Sequence, residues 1–469
     1  MIDKRKILSN IVTLTFSEFA NKGLIFFTSM YLLRTILPEG NGIMAFSSSF
    51  FSFFLLFVVF AFNTVGTREI AKDPLKTKAL TDTIITTRII LAFVVYAVYA
   101  GILLSMNIST EKRIVTLIAG IALFANALNL DWVYQGLERM KVLATRQVMT
   151  SSATLLGYVL FVRSIDDIYL AAAISSASNL INVSWLLGYY IKTQNKFSLH
   201  IDPVLLKSIL RSAIPLTLFT FSTTMLNQAN VMIMEHYNLP TASVGCFNLA
   251  FRIVQFAVIP SSIIQMAFYP LLSRTSEAAE RRSIFRKYSE LNLLGGIWTT
   301  SMIFAMPDFF VGIVGGEHFL ETVPLLSVYV FSVVAVYINT SFSPALIAWN
   351  FEKQVMYAIM TGSAISLVAN FILIKYYGVV GATYSSIIGE SAISICLSRV
   401  LYKVLQVTII KQFLKVVCVG AVVIIVGMVS KYFGMPEVAN IICMSIVFIL
   451  TAMAIKIVNI NEIRGLIKR

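Results

Sequence analysis

The chain has 469 residues, 58% of them hydrophobic and only 13% charged, with 37 Lys and Arg against 23 Asp and Glu. So few polar side chains cannot coat a soluble globule of this length, which excludes a water-soluble enzyme and implies an integral membrane protein. The net charge of +14 has to be read from where the charges lie before any acidic partner is assigned.

Apolar segments of about 20 residues recur from end to end, joined by linkers too short for a folded extramembrane domain. They predict fourteen helices: 7–33, 41–64, 79–106, 113–136, 142–162, 168–191, 206–236, 242–272, 284–312, 320–349, 354–375, 379–403, 409–432 and 437–458. The first is read as a retained span rather than a cleaved signal, because Glu18 and Lys22 fall where a signal's apolar core would lie. Placing the N-terminus in the cytoplasm puts most of the basic residues inside, among them Lys4, Arg68, Lys72, Arg88, Arg139, Arg146, Lys207, Arg282 and Lys403. Only Arg34, Lys112, Arg113, Arg163, Lys375 and Lys431 fall outside. This positive-inside pattern sets both termini in the cytoplasm and explains the charge as topology, with no nucleic acid as partner.

Helix 1 places Glu18 and Lys22 at i,i+4 with Asn21 beside them. They form either an intrahelical ion pair or a cleft-facing set, in which Lys22 helps hold an anion and Glu18 binds a cation. In helix 4, Asp131 is either an interfacial residue paired with Arg139 or a neighbouring helix, or an ion-linked carboxylate. A repeat follows when Glu138 is laid on Glu352: each is followed by a hydrophobic span, a short outer loop and a span rich in Ala or Ser. An offset of six helices preserves orientation, which implies two parallel lobes with a cleft between them. The expected lobes are 1–195 (helices 1–6) and 196–405 (helices 7–12), with helices 13–14 and a cytoplasmic tail appended over 406–469.

Helix 7 carries Thr217, Thr220, Thr223, Thr224, Asn227, Gln228 and Asn230. Such a stripe suits interhelical hydrogen bonds or a sugar-lined groove, and does not decide between them alone. At its inner end Arg211 is an interfacial anchor or a contact for an anionic headgroup. Helix 8 holds Arg252 roughly ten residues inside an apolar run, and a guanidinium near mid-bilayer is expensive unless it faces protein, water or an anion. Gln255 lies one turn further on. Glu390, near the middle of helix 12, is the deepest carboxylate and a candidate for ion coupling. Pro215, Pro260 and Pro344 are expected kinks. Cys246, Cys396, Cys418 and Cys443 lack metal or redox spacing and read as small apolar residues. His200, His236 and His318 are scattered, and no phosphate loop or nucleophile with a base is present, so the sequence reads as a non-enzyme.

Several stretches carry a family resemblance. They are Tyr31–Gly42 after helix 1, Gly66–Lys72 after helix 2, Asp131–Glu138 closing helix 4, Val244–Arg252 in helix 8 and Tyr377–Tyr384 entering helix 12. In that order the chain resembles the polysaccharide (O-antigen-type) flippases of the multidrug/oligosaccharidyl-lipid/polysaccharide (MOP) exporter superfamily. Asn230 stands where members often have an acidic residue, so a cation role does not carry over to helix 7. The resemblance implies a transporter in the bacterial inner membrane that moves undecaprenyl-diphosphate-linked oligosaccharide to the outer leaflet by alternating access, as an ion-coupled antiporter. Arg252, Lys22 and Arg211 would then contact the diphosphate, and Asn21, Thr224, Asn227, Gln228, Asn230 and Gln255 the sugars. Glu18, Asp131 and Glu390 would be the ion-coupling candidates, with Na+ or H+ as the ion and no cofactor. Membrane lipids and the polysaccharide polymerase and ligase machinery would be partners. A peptidoglycan lipid-precursor flippase, a multidrug extrusion antiporter and a non-transporting scaffold are the competing readings.

Overall fold

The computed structural model describes residues 4–194, 197–275 and 277–455, and the side chains of all of these but 4–19 and 194. Every regular element among them is helical, as a bilayer requires of a chain that must satisfy its backbone hydrogen bonds within each segment. Among the described residues ten helices are long and apolar enough to cross a membrane, or eleven if the bent pair Ala278–Ala305 and Pro307–Val314 is one span. The protein is a multi-pass membrane protein. The shortfall from the expected fourteen has a local origin. Two of the ten, Ala20–Lys72 and Glu352–Leu405, contain 53 and 54 residues. Straight, each would run about 80 Å, far beyond a hydrocarbon core of about 30 Å. Each is interrupted where the sequence predicts a loop, at Leu37 (φ 61°, ψ 178°) before Pro38 and at Gly378 (φ 58°, ψ −137°). Met140–Phe161, predicted as 142–162, is not among the ten, since Arg146, Gln147 and a run of Thr and Ser lower its hydropathy.

The chain divides into two compact units, one gathering residues up to Glu235 with Pro240–Gly245, the other His236–Leu239 and residues from Cys246 on. The first comprises α1 (Lys4–Val59), α2 (Phe62–Lys72), α3 (Thr77–Ser105), α4 (Thr110–Gly120), α5 (Ala122–Ala127), α6 (Asp131–Gly136), α7 (Met140–Phe161), α8 (Ile168–Gln194) and α9 (Pro203–His236). The helix predicted over 113–136 corresponds to the single span Thr110–Gly136, interrupted locally at Ile121 and over 128–130 so that Asp131 opens its last segment. Two of the stretches that carry the resemblance pack on each other. A Cβ at Gly66 would meet the Trp132 ring at 2.3 Å, and Thr67 Oγ1 donates to the Trp132 carbonyl at 3.1 Å. Trp132 is wholly buried there with Ile70, Val133 and Tyr134. A second close crossing joins the start of the Pro38 helix to residues 241–245. Asn41 Nδ2 donates to the Gly245 carbonyl at 2.7 Å, and a Cβ at Gly245 would lie 1.8 Å from the Pro38 oxygen. Small residues at such points let helix backbones approach, a common route to association where burial from water supplies no drive.

The second unit holds α10 (Thr241–Ala257) from Cys246 on, α11 (Ile259–Arg274), α12 (Ala278–Ala305), α13 (Pro307–Val314), α14 (Thr322–Tyr329), α15 (Phe331–Ala348), α16 (Glu352–Leu405), α17 (Ile410–Tyr432) and α18 (Glu437–Ala454). Pro260 falls in the first turn of α11, at the local break between α10 and α11 inside the single span Thr241–Arg274, whereas Pro215 and Pro344 stay inside α9 and α15. Pro307 does the same at the 86° bend between α12 and α13. α12, α17 and α18 enclose a buried cluster of Met302, Met306, Val419, Val423 and Met444.

The helix ends after α6 and α15 close with the same kind of turn. After α6, Arg139 N–H reaches the Tyr134 carbonyl (2.8 Å) and Glu138 N–H the Gln135 carbonyl (3.1 Å), with Glu138 at φ 57°. After α15, Phe351 reaches Leu346 (2.9 Å) and Asn350 reaches Ile347 (3.1 Å), with Asn350 at φ 66°. Both are Schellman caps with a left-handed residue.

Candidate functional site

In the first unit most of the polar stripe of α9 is satisfied locally. The hydroxyls of Thr217, Thr220 and Thr223 donate to the carbonyls of Ala213, Leu216 and Thr220 at 2.9, 3.0 and 2.9 Å. Asn227 Nδ2 likewise donates to the Thr223 carbonyl at 2.8 Å. Such back-bonds hide the donors and leave oxygen lone pairs available. Gln228 ties α9 to α1, accepting from Ser49 Oγ at 2.8 Å. Asn230 is 1% exposed, Thr224 is half-buried, and Arg211 is exposed near the start of the helix. On α1, Asn21 accepts from Ser151 Oγ of α7 at 2.5 Å and Lys22 is half-buried. The Glu18 side chain lies outside the described residues, and with it the expected pairing to Lys22.

Asp131 has a partner that the sequence does not name. Its Oδ1 lies 2.7 Å from Nη2 of Arg146, whose side chain is 3% exposed. Asn129 Oδ1 accepts the Asp131 N–H at 2.7 Å and holds the carboxylate at the head of α6. Arg139, the partner expected from sequence, is exposed. Two further cations, counted from sequence on the cytoplasmic and outer sides, are buried. Arg88, 0% exposed, donates through Nη2 to the Val59 carbonyl (3.2 Å) and to Asn63 Oδ1 (2.9 Å), and its guanidinium lies 5.6 Å from the centre of the Phe62 ring. Lys112 pairs with Glu235 at 2.8 Å and stacks over Phe46. The signal that singles out Arg252, depth within a helix, would also have found Arg88, eleven residues into α3.

In the second unit Arg252 Nε donates to Asn248 Oδ1 at 3.0 Å, one turn back on α10. This bond orients a planar fork of donors suited to carboxylate or phosphate. Gln255 is exposed. Glu390 of α16 accepts from Asn339 Nδ2 at 2.8 Å, and Asn339 Oδ1 accepts in turn from Ser394 Oγ at 2.8 Å. Carboxylate, amide and hydroxyl thus form a short chain between α15 and α16. Among the described residues no group of three His, Cys, Asp or Glu could hold a metal ion.

The family model described as "Polysaccharide biosynthesis protein" matches residues 7–276, more than half of the chain. The chain belongs to the polysaccharide biosynthesis protein family. This family member is 22% identical over 400 residues to a candidate O-antigen transporter of Escherichia coli (strain K12), covering 84% of this chain and 96% of that protein. A candidate O-antigen transporter of Shigella dysenteriae is 27% identical over 350 residues, covering 71% and 85%. Among solved structures, the lipid II flippase MurJ in an inward closed conformation matches with a TM-score of 0.73 at 14% identity, over 95% of this chain and 98% of that one. An inward-facing multidrug resistance MATE family transporter of the MOP superfamily matches at 0.65 and 12% identity, over 80% and 92%. The polysaccharide biosynthesis protein described here therefore has the MOP transporter fold. Its relatives are named for transport and not for catalysis.

Proposed function

We propose that this protein is a flippase that carries a lipid-linked oligosaccharide, of the kind that builds O-antigen or a similar surface polysaccharide, from the cytoplasmic to the outer leaflet. The observation that carries this reading is Arg252, a permanent cation within an apolar helix, oriented by Asn248. A diphosphate is the anion that a guanidinium fork would clamp there, and Lys22 supplies a second, point-like charge. The O-antigen transporters among the relatives support the glycan, and the MOP fold supports an alternating-access cycle. Amides and hydroxyls of α9, with Asn21 and Gln255, would contact the sugars, while Arg211 meets the headgroup at the cytoplasmic face. Glu390, with Glu18 and Asp131 as further candidates, would couple the cycle to Na+ or H+. The setting is the bacterial inner membrane, with both termini in the cytoplasm and the polymerase and ligase machinery downstream.

Liposomes containing the purified protein and a fluorescent undecaprenyl-diphosphate-linked oligosaccharide test this directly. Protein-dependent loss of the glycan from the loaded leaflet is expected. Equal leakage from protein-free liposomes would overturn the reading, and selective movement of a peptidoglycan precursor would replace it with the other lipid-glycan assignment.

A further inference from the structure

Apart from these residues, the first unit holds an apolar groove of about 490 Å³, within the range of ligand pockets, which are mostly lined by hydrophobic and aromatic side chains. Phe54, Phe57, Phe60 and Phe62 form one part of its wall, the α3 stripe from Thr87 to Val98 another, and Leu210 comes from α9. The chain builds this wall by breaking a helix. α1 ends at Val59, Phe60 and Ala61 take left-handed conformations (φ 43° and 49°), and Phe62 starts α2 with its ring 5.6 Å from that of Phe60. Arg88 secures the break by taking the Val59 carbonyl. The rim is open, since Phe57, Val94 and Val98 are 54, 57 and 50% exposed. On helices that cross a bilayer, such a rim faces lipid.

Charge at one end decides the occupant. Lys207 and Arg211, at i,i+4, flank Leu210 around α9, and both are exposed. They fall within roughly 12 Å of the helix start at a rise of about 1.5 Å per residue, on the side expected to face the cytoplasm. The groove runs on for roughly 16 Å along α3 by the same rise. An apolar groove whose wall residue Leu210 has Lys207 three residues before it and Arg211 directly after it on α9 suits a lipid with one hydrocarbon chain and two phosphates better than a phosphodiester with two acyl chains.

We infer that this groove docks the hydrocarbon chain of an isoprenoid diphosphate lipid, whose headgroup is held at Lys207 and Arg211 on the cytoplasmic side. The inference rests on the lipid-linked glycan reading and gives that substrate a docking place on the lipid-facing flank of α1, α3 and α9. It is tested with the purified protein in nanodiscs and a photoreactive polyprenyl diphosphate that carries no glycan. Crosslinks are expected within 54–62 and 87–98, displaced by undecaprenyl diphosphate but not by the same concentration of phosphatidylglycerol. Leu91→Trp, which fills the groove, and the Lys207→Ala/Arg211→Ala pair should each lower labelling about tenfold, a free-energy change of about 1.4 kcal/mol. Val98→Trp at the exposed rim repeats the first test without disturbing packing. Equal displacement by phosphatidylglycerol, or undiminished labelling in both tryptophan variants, would overturn the inference. In the wild-type protein, no labelling of the groove with intact glycan transport sinks the groove alone, and labelling without glycan transport sinks the transport reading alone.

Discussion

Arg146 Nη2 lies 2.7 Å from Asp131 Oδ1, with the arginine side chain 3% and the aspartate 25% exposed. Breaking a buried pair from one side leaves the other charge uncompensated, at a cost of about 3–5 kcal/mol. Asp131→Ala should therefore lower the melting temperature of the detergent-solubilised protein sharply, and adding Arg146→Met should restore more than half of the loss. Equal melting of the single and double variants would show that the pair contributes nothing.

The same geometry ranks the ion-coupling candidates. A carboxylate already neutralised by a guanidinium has little capacity for a cation, whereas Glu390 accepts from a neutral amide. Asp131→Asn is expected to leave the dependence of glycan transport on an imposed Na+ or H+ gradient unchanged, and Glu390→Gln to flatten it. Unaltered gradient dependence in Glu390→Gln would remove that residue from the coupling mechanism.

For Arg252 the decisive comparison is between Ala and Lys. Arg252→Ala should abolish surface polysaccharide at normal protein levels, while Arg252→Lys should retain a small fraction, because an ammonium keeps the charge but loses the fork and its bond to Asn248. Full polysaccharide in Arg252→Ala, read by gel profiles of cell-surface glycan, would rule out an anion clamp.

Gly245 offers a test that is independent of function. Its Cβ position lies 1.8 Å from the Pro38 carbonyl oxygen, a backbone atom that no rotamer change can move. Gly245→Ala should cost at least about 1–3 kcal/mol through overpacking and cut the monodisperse fraction in size-exclusion chromatography. Gly101→Ala, with nothing within 4 Å of its Cβ position, is the control that should behave as wild type.

The helical membrane fold was legible because hydropathy and length alone demand it, and the depth of Arg252 could be counted along the chain. The partner of Asp131 was not, because Arg139 is nearer in sequence and only the turn at Glu138 brings Arg146 onto the same side. Nor could the sequence tell a solvated loop cation from one drawn inside, as with Lys112. The positive-inside rule counts charges near helix ends and is silent on burial.

Arg88 and Lys112 also differ in what chain order does for them during biosynthesis. The acceptors of Arg88, Val59 and Asn63, precede it, so when α3 leaves the insertion machinery its cation finds them already in the membrane. Lys112 must wait for Glu235, 123 residues later. Until then the first turn of α4 carries a cation without its carboxylate partner. Lys112 is thus the point at which a nascent chain halted before Glu235 would be most exposed to retention or degradation by membrane quality control.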